Sequence, residues 1–183
     1  MTAQILWYFW FYSFLGCGLE RAFALATHSE TQARRCFLLL PLCPVYGLGM
    51  LAVLALPPMG WLPLAILGGL AATAVEYFFH WAGEVFLGVR FWDYSQLPGN
   101  LHGRVCLPFT LAWGPLTMLA ARLIHPAAAA LAAHIPAGGT YLFLLLFTAD
   151  CLCTLWFLRA TGDLEGMRAL FSISRPQVSA KAD

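Results

Sequence analysis

Charge is what this chain has least of. Only 10% of its residues are Asp, Glu, Lys or Arg, against 61% hydrophobic ones, and so few charges cannot clothe a water-soluble surface around a core of that size. A soluble globular protein is excluded. No basic run and no interleaving of basic with aromatic residues occurs, and the formal net charge is only +1, so no nucleic acid partner is expected. Period-2 polar alternation is missing, which excludes a transmembrane barrel. G-x-S-x-G, H-E-x-x-H and Walker A sequences are all absent, so the common hydrolase, zincin and nucleotide signatures are not here and no cofactor is expected. Cys17, Cys36, Cys43, Cys106, Cys151 and Cys153 form no CxxC pair; they read as small apolar helix residues rather than disulfides. The first apolar run starts almost at Met1 with no positive n-region and no small-residue cleavage site, so it is expected to stay as a membrane helix.

What the chain has is apolar length. Mean hydropathy is +0.73, and several runs approach the roughly 20 residues needed to cross about 30 Å of hydrocarbon. The expected fold is all-α, a polytopic bundle of about five transmembrane helices over residues 4–24, 36–56, 61–86, 105–124 and 139–158. Residues 1–160 form one transmembrane domain in this reading, and 161–183 a short cytoplasmic tail. Pro41 and Pro44 remove backbone donors, so the second segment should kink or begin irregularly. Ala65, Gly69 and Thr73 lay a small-residue stripe along the third for close helix packing. Pro98, Gly99, Asn100 and Gly103 predict a structured cytoplasmic loop over 87–104, and residues 126–136 a short helix within a later loop. With this count Arg21, Arg34, Arg35, Arg90, Arg104, Arg159 and the tail's basic residues fall on one face and only Arg122 on the other. The positive-inside rule then places the N-terminus outside and the C-terminus in the cytoplasm of a multi-pass inner-membrane protein.

The scarce charges cluster. Glu76, His80 and Glu84 are four apart, each rotated by about 40 degrees from the last, so they share one helical stripe. A carboxylate in hydrocarbon costs about 2.5–3.5 kcal/mol on the insertion scale, so these residues should face the bundle interior and find partners. Arg90 and Arg104 should reach Glu84 or Asp93. Glu20, Tyr46, Glu76, Glu84, Asp93 and Arg104 are expected at one depth near the cytoplasmic face, as a substrate or ion site or as an ion-pair network that pins a loop. His80 between two carboxylates has helical ligand spacing but no second His or Cys nearby, so no metal site is assigned. Asp150 is read as a hydrogen-bonding group toward a neighbouring helix, with a proton or ion role as the alternative.

Three stretches carry a resemblance. Ser13, Phe14, Leu15 and Gly16 precede Glu20; Cys43, Pro44, Val45, Tyr46 and Gly47 follow; then come Glu76, Tyr77, Trp81, Glu84, Arg90, Trp92, Asp93, Tyr94, Ser95, Asn100, Gly103, Arg104, Val105, Cys106, Leu107, Trp113 and Gly114. In these motifs the chain resembles the bacterial CmpB-like family of ABC-transporter type IV permeases, over about residues 13–126. His80 departs from the pattern, standing where the family carries a small hydroxyl residue. The resemblance implies a membrane component of a transporter that works with a separate ATPase or other membrane subunit. The candidate substrate or ion residues are Glu20, Tyr46, Glu76, Glu84, Arg90, Asp93, Asn100 and Arg104. Two other functions fit the same residues. One is an intramembrane enzyme acting on a lipid or isoprenoid headgroup, with Glu84 or Asp93 as acid or base and Arg90 or Arg104 on a phosphate. The other is a structural or regulatory membrane protein without turnover.

Overall fold

The computed structural model describes residues 2–27, 38–164 and 166. The described residues are helical with no named strand: α1 (Thr2–Thr27), α2 (Pro44–Leu54), α3 (Trp61–Ala82), α4 (Leu107–Leu119), α5 (His125–Ala133) and α6 (Ala137–Thr161). A π-helical turn over Gly83–Leu87 prolongs α3, and another over Ala120–Ile124 joins α4 to α5. Three of the resulting rods, Trp61–Leu87, Leu107–Ala133 and Ala137–Thr161, are long and apolar enough to cross a membrane. The expected tail over 161–183 lies almost wholly outside the described residues.

Two segments depart from expectation. The second is not a helix over 36–56: the chain is non-helical from Leu38 to Cys43, and only the 11 residues Pro44–Leu54 are helical, about 17 Å of rise and half a crossing. The cause is local. Pro44 forbids the helical conformation to the residue before it, and Cys43 accordingly sits at φ −113, ψ 91. Pro44 itself occupies the first helical turn, where its missing N–H costs nothing. Backbone amides of the non-helical stretch find acceptors in the bundle: Leu39 and Leu40 donate to the Asp150 carboxylate on α6 at 3.0 and 2.8 Å, and Cys43 donates to the Ser13 carbonyl on α1 at 2.9 Å. The other departure is at Pro126, expected to lie in a separate short helix over 126–136. The helix does not break there. The π turn over Ala120–Ile124 widens the coil just ahead of the proline, which relieves the ring clash with the preceding turn and lets the rod run on.

Side-chain contacts fix the direction of each segment. Trp7 Nε1 donates to Thr140 Oγ1 at 2.9 Å, joining the starts of α1 and α6; Tyr8 packs edge-on against His125, and Arg122 bonds to the Met59 carbonyl at that same end. At the other end Phe23 meets Phe109, and the 88–106 loop folds back on α3. Successive segments therefore alternate in direction, and Arg21, Arg90, Arg104 and Arg159 share one end while Arg122 sits at the other. Close packing of α3 on α4 depends on glycine. A Cβ on Gly69 would stand 3.0 Å from the Gly114 backbone, and one on Gly114 3.0 Å from the Ala65 carbonyl, so Ala65 and Gly69 of the expected stripe form the contact.

The loop is structured, as its residues predicted. Leu101 and Val105 form an isolated antiparallel bridge, and His102 and Gly103 turn the chain at φ 56 and 70. Phe91, Trp92, Tyr94 and Cys106 are buried and plug the end of the bundle beside Trp10, Val45 and Leu158.

Candidate functional site

The candidate residues separate into two groups, where a single converging site was expected. The first lies on helices. Tyr46, in the first turn of α2, donates its hydroxyl to the Glu20 carboxylate on α1. Its ring packs on Trp113 of α4 with centroids 5.1 Å apart, and Trp113 Nε1 donates to Glu76 Oε2 of α3 at 2.6 Å. Four helices thus contribute one side chain each to an acid–aromatic–aromatic–acid row, with Glu76 fully buried and Glu20 7% exposed. Gly16 makes room for it, since a Cβ there would enter the Tyr46 ring. The two sequence motifs quoted above meet here: Ser13 lies against Cys43 and Gly47, and Gly16 and Glu20 against Tyr46.

Glu20, Tyr46 and Trp113 of this row line a cleft between α1 and α4, and Glu76 is held behind Trp113. One part encloses about 270 Å³ among Glu20, Tyr46, Tyr94, Phe109 and Trp113. A second, about 220 Å³, shares Leu19, Tyr46, Trp113 and Leu116 with it and continues toward Tyr12 and Ala120. Phe23 against Phe109 bounds one end, and the Tyr12 hydroxyl donating to the Ala120 carbonyl at 3.5 Å bounds the other. Along each helix the bounded window is about 16 Å long, at about 1.5 Å per residue. Its walls are apolar apart from Glu20, Thr117 and the polar atoms of the aromatic rings.

The second group is an ion cluster that ties the loop to α3. Glu84, in the π turn, accepts from Arg104 at 2.8 Å (Nε) and 2.7 Å (Nη2), a bidentate pair on Oε2. Its Oε1 lies 3.0 Å from Arg90 Nε and 3.4 Å from His80 Nε2. Arg104 also donates to the Tyr77 hydroxyl at 2.7 Å, which shares a 3.0 Å hydrogen bond with His102 Nδ1, and its carbonyl accepts from Trp92 Nε1 at 2.7 Å. The Glu84 hydrogen bond is the main reason the Arg104 guanidinium is held above its ordinary value. Arg90 is 70% exposed, so water screens its share of the attraction.

Asp93 and Asn100 belong to neither group. Asp93 accepts the Ser95 N–H at 2.9 Å, closing a turn, and that amide, followed by the Ser95 hydroxyl, holds its carboxyl below the usual carboxylate range. The expected pairing of an arginine with Glu84 or Asp93 is therefore met at Glu84, by both arginines. Asn100 staples the loop internally, donating to the Ser95 and Leu97 carbonyls at 3.0 Å and accepting from Gly103 N–H at 3.2 Å. Sequence reasoning did not single out Trp113, the residue that joins Glu76 to the cleft; its only signal was the Trp-Gly pair quoted for the resemblance. Among the described residues no group of three or more His, Cys, Asp or Glu side chains is placed to hold a metal ion.

A helical membrane protein with a laterally bounded cleft, one buried acid in its wall and a second behind Trp113, is the class that fold and geometry define. The chain belongs to the family described as Putative ABC-transporter type IV, whose model matches residues 7–155. The match runs into α6, which the motif resemblance had left outside. No curated protein and no solved structure matches the chain.

Proposed function

We propose that this protein is the permease-like membrane component of an ABC-type transporter, with the cleft between α1 and α4 as its substrate element. The observation that carries the reading is the row Glu20–Tyr46–Trp113–Glu76, which sets one buried acid in the cavity wall and a second behind Trp113, and acids inside a membrane bundle mark sites by default. α2 supports it, since a half-helix preceded by non-helical chain within a bundle is the architecture on which transporter sites are built. The protein is read as multi-pass in the bacterial inner membrane, with its N-terminus outside and its C-terminus cytoplasmic. Four arginines at the loop end support that orientation, and under it the Glu20 part of the cleft is read as lying near the cytoplasmic face. A chain without a nucleotide motif needs a separate ATPase or other membrane subunit to energise transport. The enzyme reading is weaker, because Glu84 already faces two guanidinium groups and Asp93 closes a turn, so neither is poised as an acid or base.

The test is a pair of substitutions, Glu20→Gln and Glu76→Gln, in a deletion strain. Either should abolish complementation while expression and detergent stability stay close to those of the unsubstituted protein. Full complementation by both would remove the cleft as the substrate element. Reporter tags at the N-terminus and Pro57 should read outside and tags at Gln96 and the C-terminus inside, and affinity purification from native membranes should recover an ATPase or a further membrane subunit.

A further inference from the structure

A separate groove opens at the loop end of the bundle, between the last turns of α3 and of α6. It holds about 560 Å³ and shares no lining residue with the cleft, and its volume lies within the roughly 300–1,000 Å³ of ligand pockets. Phe91 forms its floor, packed against Gly83 where a Cβ would strike the ring. Its rim is lipid-facing: Phe86, Leu152, Leu155 and Trp156 are all exposed, Trp156 at 74%. From Phe79 and Leu152 inside to Leu87 and Arg159 at the helix ends the groove runs about 10–12 Å.

Its polarity is one-sided. Everything below the helix ends is apolar, and at the mouth stands Arg159, two residues before α6 ends at Thr161. Among the described residues Arg159 makes no hydrogen bond and no ion pair, unlike Arg90, Arg104 and Arg122, which are all engaged. A guanidinium without a protein counter-charge at the level where a membrane helix ends lies at the depth of lipid phosphates. Trp156, one turn further in, lies where indoles favour the interface. Chain below, cation above and indole between complement one acyl chain and the phosphate of a lipid. We propose that this groove is a binding seat for an anionic glycerophospholipid, one acyl chain lying along Phe79 and Leu152 and the phosphate held by Arg159. The net negative lipid is favoured over the zwitterionic one because Arg159 brings a positive charge to the mouth and no acidic side chain lines the groove to receive a lipid ammonium. This seat does not depend on the transport reading.

Trp156 reports on it directly. The full chain is placed in nanodiscs of phosphatidylcholine carrying a minor fraction of brominated-acyl phosphatidylglycerol or brominated-acyl phosphatidylcholine. The signal is the fluorescence quenching lost on Trp156→Phe. One interfacial arginine should give about a fivefold preference for the brominated anionic lipid. The preference should vanish in Arg159→Gln, persist in Arg159→Lys and weaken from low to high salt. Equal quenching by the two lipids, or a preference that survives Arg159→Gln, overturns the proposal. The salt titration makes the same demand of the unsubstituted protein, and a preference indifferent to salt also overturns it.

Discussion

The two acid groups of this protein use the same chemistry to opposite ends. Glu84 is met by two guanidinium groups, Arg104 on one oxygen and Arg90 on the other, with the His80 ring beside it, so its charge is answered within the chain. Glu20 and Glu76 are each met by an aromatic donor, the Tyr46 hydroxyl and the Trp113 N–H. The difference separates a clamp from a cavity wall: the first arrangement fastens a loop, while the second sets Glu20 in the wall of the cleft and Glu76 behind its Trp113. Glu76 and Glu84 lie on one stripe of one helix, eight residues or about 12 Å apart. What surrounds them, rather than what they are, sets the roles.

That contrast can be broken most forcibly at Gly16. Gly16→Ala drives a methyl group into the Tyr46 ring, whose nearest atoms are Cβ and Cγ rather than a movable tip. Overpacking of this kind should cost about 3 kcal/mol, at the upper end of its usual range, in a detergent unfolding series, and complementation should be lost with it. An undiminished midpoint would show that α1 and α2 are not in contact as described. Glu84→Gln comes next. It removes a charged acceptor from two arginines, so a loss of about 2 kcal/mol is expected, with complementation falling only in step with folded protein. If function disappears while stability holds, Glu84 belongs to the site and the division into two groups fails.

The smallest effect is expected at Asp93. Its carboxyl is held below the usual range by the Ser95 amide and hydroxyl, so its stabilisation is complete above the unfolded-state value of about 3.9. It is lost as pH falls through the lower folded-state value. Asp93 is exposed, and screening keeps the contribution under about 1 kcal/mol. Asp93→Asn, which retains an acceptor for the Ser95 N–H, should flatten this acid-side slope and leave stability at pH 7 nearly unchanged. A large loss at neutral pH would show that Asp93 is part of the clamp.

Much of this was legible in the residues. Scarce charge and long apolar runs define a helical membrane protein, the glycine spacing on α3 predicts its close contact with α4, and Pro98, Gly99 and Asn100 predict the ordered loop. Four-residue spacing puts Glu76, His80 and Glu84 on one stripe, but spacing on one helix says nothing about the facing helices. That is why Trp113 as the partner of Glu76, and the division of the acids, were not readable. Pro41 and Pro44 signalled an irregular start to the second segment; that the irregularity extends back through Leu38 depends on Asp150, a tertiary partner. Pro126 misled for the converse reason, because a π turn upstream absorbs a proline that local rules treat as a stop.

Asp150 also sets an order of assembly. It takes the backbone amides of Leu39 and Leu40 across sequence separations of 111 and 110 residues, and a chain emerges from the ribosome N-terminus first at about 5–20 residues per second. For that interval the stretch leading into α2 exists without its carboxylate acceptor. Two unpaired amides in an apolar surrounding are costly, so this stretch cannot settle into its final place until α6 has been made. A nascent chain halted before Asp150 would leave it to water or to lipid headgroups. Helix α6 therefore finishes the second segment, made more than a hundred residues earlier, and with it the footing from which Tyr46 reaches Glu20.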